Sequence, residues 1–420
     1  MRWEQKIQHA IQTDIGLRRK NNEDAAVSHV CTDEAEWSKR GHLFVVADGM
    51  GGHAVGELAS KLAVETVPHI FYKIPDGDSR VALQQAVTAA NDVINKRGSQ
   101  NVDFLRMGTT CTTLALTSRG AVVGHVGDSR CYRIRRDRID QLTFDHSLVW
   151  ELERQNPKAA EKLNLSQHRN VITRSLGPEP TVDVDLEGPY PIYPGDTFVL
   201  CSDGLSNQVS DEEIGAIVRE LSPSQACQLL VHLANLRGGA DNCTVIVVRV
   251  GELPTNVPPP IVEVEEPVGS LSWWFLWASF GLALLLVTGL SFLISGNPWE
   301  GYSVVSVAAV GMILLVWFGW KRHQEARPVS DDDLSKTNYL RPHRTAVSKS
   351  SETLFQELKS LELEVRKAAV EEHWSVDWKS HEQAVEAAGK AEQERRFARG
   401  VRDLTRAIDA LMKESEKKNE

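Results

Sequence analysis

The chain has 420 residues, 42% of them hydrophobic, and a formal net charge of −10. That length exceeds one ordinary domain, and that composition excludes a wholly disordered chain. The acidic balance excludes nucleic acid as the main partner, since nonspecific binding to it needs a basic surface. In chain order, the opening Met1-Arg2-Trp3-Glu4-Gln5-Lys6 lacks the apolar core of a secretory signal. Up to about Val250 strand-like and helix-like runs alternate. The run Leu43 to Ala47 delivers Asp48-Gly49 to a turn, Thr197 to Ser202 delivers Asp203-Gly204, and Asp241-Asn242 opens the run Cys243 to Val248. Helical spacing at Ala59, Leu62, Ala63, Thr66 and Val67 predicts a helix before Pro68, and Leu83, Ala86, Val87, Ala90 and Ile94 predict another before Gly98. The six cysteines (31, 111, 131, 201, 227 and 243) form no Cys-x-x-Cys pair and fall mostly in apolar runs, which predicts buried thiols.

A carboxylate at the mouth of a buried strand is costly unless something positive meets it. Three of them brought together by a sheet make a cage for hard divalent cations, which take oxygen ligands. An acidic protein can act on phosphate when bound metal reverses the local sign.

Beyond residue 252, a Pro- and Glu-rich stretch over 253–270 reads as a stiff, extended linker. From Pro267 to Trp320 the one charged residue is Glu300. Leu271 to Ile294 and Tyr302 to Trp320 are each long enough to cross a hydrocarbon core, with tryptophans at their ends and Ser295 to Gly301 as the turn. Lys321-Arg322-His323 marks the flanking side as cytoplasmic, which predicts a plasma-membrane hairpin with the N-terminal domain and the tail both in the cytoplasm. A flexible linker is expected over 321–351 and a helical tail over 352–413. Leu354, Leu358, Leu361, Val365 and Ala368 step by four and three, as in an amphipathic helix or a coiled-coil seam. Phe397, Val401, Leu404, Ala407 and Ile408 faintly match half of a tetratricopeptide unit. The tail is expected to form a small bundle or a self-association segment.

Six ordered motifs carry a family resemblance: Thr13-Asp14-Ile15-Gly16-Leu17-Arg18-Arg19-Lys20-Asn21-Asn22-Glu23-Asp24, Val46-Ala47-Asp48-Gly49-Met50-Gly51-Gly52-His53, Gly108-Thr109-Thr110, Gly127-Asp128-Ser129-Arg130, Ser202-Asp203-Gly204 and Asp241-Asn242-Cys243-Thr244. Over residues 1 to about 250 the chain resembles the bacterial-type metal-dependent serine/threonine protein phosphatases of type 2C. The resemblance implies an α+β fold, a four-layer α-β-β-α sandwich of two antiparallel sheets flanked by helices. It also implies two Mn²⁺ or Mg²⁺ ions sharing a water that attacks the phosphorus of phosphoserine or phosphothreonine.

On that resemblance Asp48 would bridge the ions, Gly49 would offer its carbonyl, and Asp203 and Asp241 would hold the second ion. Asp24 would close the site, with Glu23 behind it. Asp128 with Asp203 would hold a third, weaker metal. Arg19 would clamp the phosphate, a planar fork against two oxygens. His53 is a candidate proton donor, because Met50 stands where many eukaryotic members carry a histidine. Residues Leu148 to about Arg169 would form a flap, and Asp145-His146-Ser147 mimics part of a hydrolase triad without a Gly-x-Ser-x-Gly elbow. Phosphorylated proteins, among them serine/threonine kinases or their substrates, are the implied partners. A catalytically inactive phosphoprotein-binding scaffold is the alternative, set against the complete aspartate set.

Overall fold

The structure is a computed structural model and describes residues 7–32, 34–52, 54–75, 77–104, 107–155, 171–251, 273–296, 298–299, 301–309, 311–312 and 342–419. The chain divides into one compact unit of Met1–Val257 with Tyr339–Glu420 and a second of Pro258–Asn338.

Two antiparallel sheets make the first unit. One has the order β1 (Gln8–Asp14), β11 (Cys243–Arg249), β10 (Thr197–Cys201), β7 (Arg130–Arg135), β8 (Arg138–Gln141) and β12 (Arg344–Val347). The other runs β2 (Asp24–His29), β3 (His42–Met50), β5 (Cys111–Thr117), β6 (Gly120–Val126) and β9 (Asp185–Tyr190), with β4 (Gly108–Thr109) beside β3. The sheets face each other through Phe44, Val46, Leu114, Val123, Phe198, Leu200, Ile246 and Val248, all buried. The alternate residues of β3, Leu43, Val45 and Ala47, face outward onto α2 (Ala54–Lys73) and α3 (Ser79–Ser99). Strands buried on both faces read as continuous apolar runs, so both layers of helix are required. On the far side α6 (Asp211–Glu220) and α7 (Pro223–Leu236) cover the first sheet. The sandwich of two antiparallel sheets flanked by helices is therefore as expected. The six cysteines are free and buried.

Three features differ from expectation. Helix α2 continues through Pro68 to Lys73, because its buried face runs on from Ala63 and Val67 to Phe71; that packing outweighs the lost backbone hydrogen bond. Within the expected 321–351 linker, Arg344–Val347 forms β12 and pairs with β8 in the register Arg344 to Gln141 and Val347 to Arg138. The tail helices α9 (Glu352–Glu371), α10 (Trp378–Gln393) and α11 (Phe397–Asn419) do not stand apart. Phe355, Leu358, Val401, Leu404 and Ile408 share one buried cluster with Ile214, Ile217, Leu229 and Leu233 of α6 and α7. The four-and-three seam thus meets α6 and α7 of the same chain.

In the second unit a helix covers Trp273–Ile294 (α8) and carries no charged residue. Among the described residues no helix is long and apolar enough to cross a membrane. The 253–270 linker and, of the second expected span, residues 310 and 313–320 lie outside the described residues.

Candidate active site

The site forms where strand ends from both sheets converge. Asp24 opens β2 directly opposite Asp48 of β3. Asp203 begins the short helix α5 (Asp203–Ser206) immediately after β10, and Asp241 precedes β11, the neighbour of β10. Asp128 sits in the turn between β6 and β7.

Hydrogen bonds fix this frame. Thr110 and Thr109 hold β3 at Asp48: the Asp48 amide donates to Thr110 Oγ1 at 2.9 Å, and the Thr110 amide and Thr109 hydroxyl each donate to the Asp48 carbonyl at 2.9 Å. Asn242 staples the Arg19 loop, its side-chain amide donating to the carbonyls of Ile15 (2.8 Å) and Asn21 (3.0 Å) while its Oδ1 accepts from the Glu23 amide (2.8 Å). Ser202 joins the sheets by donating to Asp24 Oδ2 at 2.7 Å and accepting from the Thr244 amide at 3.0 Å. Thr110, Ser202 and Asn242 stood inside the quoted motifs, but nothing in the sequence assigned them these jobs. Gly49 and Gly204 are demanded by close approach: a Cβ on Gly49 would collide with the carbonyls of Gly56 and Glu23, and one on Gly204 with the carbonyl of Asn242.

The electrostatics are those of carboxylates crowded without enough positive charge. Burial pushes Asp24 up to about 7, against the opposing hydrogen bonds of Ser202 and Thr244 and with help from the charges of Asp203 and Asp241. Asp203 is pushed up to about 6 by burial and by Asp241. Asp48 stands well above the carboxylate range through burial and the charges of Asp24, Asp203, Asp128 and Asp241. Asp128 does so through burial and Asp203. The buried oxygens Asp24 Oδ1, Asp128 Oδ1 and Asp203 Oδ1 have no hydrogen-bond partner. Buried polar atoms are ordinarily paired, so three orphans in one site fit an oxygen-liganded cation. Gly49, beside them on β3, presents backbone to the same end of the sandwich.

Arg19 reaches this group from the mouth, its guanidinium donating to Asp241 Oδ2 at 2.7 Å. Burial alone would lower its pKa, but Asp241, Glu23 and Asp48 hold it above its ordinary value. Arg18 is exposed, and its backbone amide donates to the Gly239 carbonyl at 3.2 Å. The structure thus brings together Arg19, Asp24, Asp48, Gly49, Asp128, Asp203 and Asp241, while His53 lies outside the described residues.

Asp145-His146-Ser147 is no triad. Asp145 is paired with Arg130 (2.7 Å), whereas His146 accepts from the Gly127 amide (2.9 Å) and bonds Asp185 (2.9 Å). His146 so anchors the turn that presents Asp128. Elsewhere, His29, Cys31 and Glu36 bring donor atoms within 4.8 Å of one another. Their atoms are already satisfied: His29 Nε2 bonds Glu36 at 2.9 Å, and Cys31 donates to the Gly41 carbonyl at 2.8 Å.

Comparison with known proteins agrees with this geometry. The family model described as Protein phosphatase 2C matches residues 21–232. A phosphatase 2C-type protein of Streptococcus pyogenes is 36% identical over 244 residues, covering 57% of this chain and 96% of that protein. The serine/threonine protein phosphatase PstP of Mycobacterium tuberculosis is 33% identical over 259 residues, 61% of this chain and 47% of PstP. Among solved structures, the PstP catalytic domain in complex with two manganese ions matches with a TM-score of 0.50 and 33% identity, over 59% of this chain and 99% of that one. A Streptococcus agalactiae serine/threonine phosphatase matches with a TM-score of 0.51 and 34% identity, over 58% and 99%.

Proposed function

The chain belongs to the protein phosphatase 2C family, and from that premise we propose which of its residues run the reaction, and where. It is a metal-dependent protein-serine/threonine phosphatase that uses two Mn²⁺ or Mg²⁺ ions. When bound, such a pair supplies an activated water near neutral pH and offsets the charge that develops on phosphate.

Asp48 stands opposite Asp24 across the strand pair and near Asp203 at the end of β10, a position from which its carboxylate would hold both ions. Gly49 contributes its carbonyl. Asp203 and Asp241, both at strand ends of the first sheet, would hold one ion. Asp24 closes the opposite side through the oxygen that Ser202 leaves free, and Asp128 with Asp203 forms the weaker third position. Arg19 grips the phosphoryl oxygens. Its present partner, Asp241 Oδ2, is an oxygen that either a guanidinium or a metal could take, so with a metal at Asp241 the Arg19 guanidinium would be free to face substrate. His53 is the proposed proton donor to the leaving alcohol. The observation that carries this assignment is the set of three orphaned buried carboxylate oxygens around half-buried Asp48.

The test is hydrolysis of a small phosphoester and of a phosphothreonine peptide by the full chain, with Mn²⁺, with chelator, and as Asp48→Asn. Turnover that needs metal and is lost in folded Asp48→Asn is expected. A folded Asp48→Asn chain with the parent rate would remove Asp48 from the mechanism. Binding of the peptide without hydrolysis would instead revive the scaffold alternative.

We read the protein further as anchored in the bacterial plasma membrane through Leu271 to Ile294 and Tyr302 to Trp320, with catalytic domain and tail cytoplasmic. Support comes from the charge-free sequence, the terminal tryptophans and Lys321-Arg322. The described part of α8 also exposes Leu284, Val287, Leu290 and Ile294, side chains that suit an apolar solvent. Labelling of single cysteines at Ser295 and Ser330 tests this reading. Modification of Ser330→Cys from outside intact cells would overturn it.

A further inference from the structure

Beside the aspartate cluster lies a cavity of about 400 Å³. Asp128 and Asp203 line one wall. Trp150 and Glu153 of the short helix α4 (Leu148–Gln155) line another, and Arg344 of the tail strand β12 completes it. A residue that follows the hairpin region by some twenty positions therefore stands next to the catalytic carboxylates.

Arg344 is held on both sides. Its backbone lies in the β8–β12 ladder, where the neighbouring Thr345 hydroxyl donates to Asp140 Oδ1 at 2.9 Å. Asp140 is fully buried and ion-paired with Arg133 at 2.6 Å, so the platform under Arg344 is fixed. From there the guanidinium lies over the Trp150 ring, 4.0 Å from its centroid, and donates to Glu153 Oε2 at 3.1 Å. Trp150 in turn meets the edge of Phe144 at 5.1 Å, and His343 packs edge-on to Phe144 at 5.7 Å. Two consecutive tail residues thus grip the two aromatic rings at the base of α4. The exposed ion pair is weak by itself, whereas a guanidinium stacked on a buried indole is not.

We propose that Arg344 is a positioning residue for protein substrates: through Trp150 and Glu153 it fixes α4 as the wall of a subsite for the polypeptide that flanks the phosphorylated residue. The inference rests on the phosphatase reading of the aspartate site. A phosphoryl group seated at Asp48 carries its polypeptide across the adjoining cavity, while a small phosphoester places nothing there. The tail thereby enters substrate recognition without touching the reacting atoms.

The experiment compares p-nitrophenyl phosphate with a phosphothreonine peptide, using the full chain with Mn²⁺ as parent, Arg344→Ala, Arg344→Lys and Trp150→Leu. Arg344→Ala is expected to raise KM for the peptide about five- to tenfold while leaving kcat/KM for the small ester within about twofold. Arg344→Lys keeps the charge and recovers part of the loss. Trp150→Leu should mimic Arg344→Ala, and the double variant should cost little more than either alone, since both break one contact. Unchanged peptide KM in Arg344→Ala overturns the proposal. So does an equal loss on both substrates accompanied by a lowered Tm, which is the signature of a merely structural contact. A parent chain inactive on the small ester would instead overturn the phosphatase reading itself.

Discussion

Phe355→Ala should destabilise the catalytic unit as a whole, although Phe355 lies about a hundred residues beyond the last catalytic strand. The ring is fully buried, meets Phe397 at 6.0 Å between centroids, and lies so close to Gly400 that a Cβ there would collide with it. It belongs to the cluster that includes Ile214, Ile217 and Leu233 of α6 and α7. Truncating a buried phenylalanine to alanine costs about 3–5 kcal/mol through lost transfer energy and the cavity left behind. The unit comprises about 340 residues, and its unfolding entropy near the midpoint is on the order of 0.7 kcal/mol/K. The expected fall in Tm is therefore about 4–7 °C. Melting followed by far-UV circular dichroism should show one transition, with Mn²⁺-dependent hydrolysis lost over the same temperature range. If the tail melts in its own early transition while hydrolysis persists to the parent temperature, the tail is a separate body and the reasoning fails.

Arg19→Ala should raise KM for phosphoester with a smaller loss in kcat, because a phosphate contact goes and the carboxylates stay; steady-state kinetics decide, and an unchanged KM would send the clamp role elsewhere. Gly49→Ala should abolish Mn²⁺-dependent turnover, since its Cβ would push β3 off Gly56 and Glu23; parent-level turnover would show that this corner can yield. The metal-free chain should lose stability as pH rises. Asp24 and Asp203 hold their protons to about 7 and about 6 in the folded state and to 3.8 ordinarily, so from about pH 4 to 7 the native state binds more protons than the unfolded one. Denaturant melts across that window should show the fall, and Mn²⁺ should oppose it; flat metal-free stability would contradict the crowded-carboxylate account.

The convergence of Asp48, Asp203 and Asp241 was legible because each sits at a strand end marked by an apolar run and a turn, whereas Asp24 and Asp128 came only with the family resemblance. The second-layer supports could not be read. Ser202 reaches Asp24 across 178 positions of sequence, and Asn242 reaches Glu23 across 219, and short polar residues carry no periodic signal. The helix break at Pro68 failed because tertiary burial of Phe71 overrides a local propensity. The tail's role was hidden for a related reason. A seam of Leu354, Leu358 and Val365 states that something apolar covers it, but not what, and here α6 and α7 of the same chain do so. The four residues of β12 were too few and too polar to read as a strand until β8 offered an edge.

Calorimetric titration of the chelated full-length chain with Mn²⁺, run beside hydrolysis of a phosphothreonine peptide at each metal concentration, tests the central claim most directly. The account predicts two strong sites per chain, turnover that rises with filling of the second, and loss of both in folded Asp48→Asn. Undiminished hydrolysis in the chelated chain, or unaltered Mn²⁺ binding by Asp48→Asn, would contradict it.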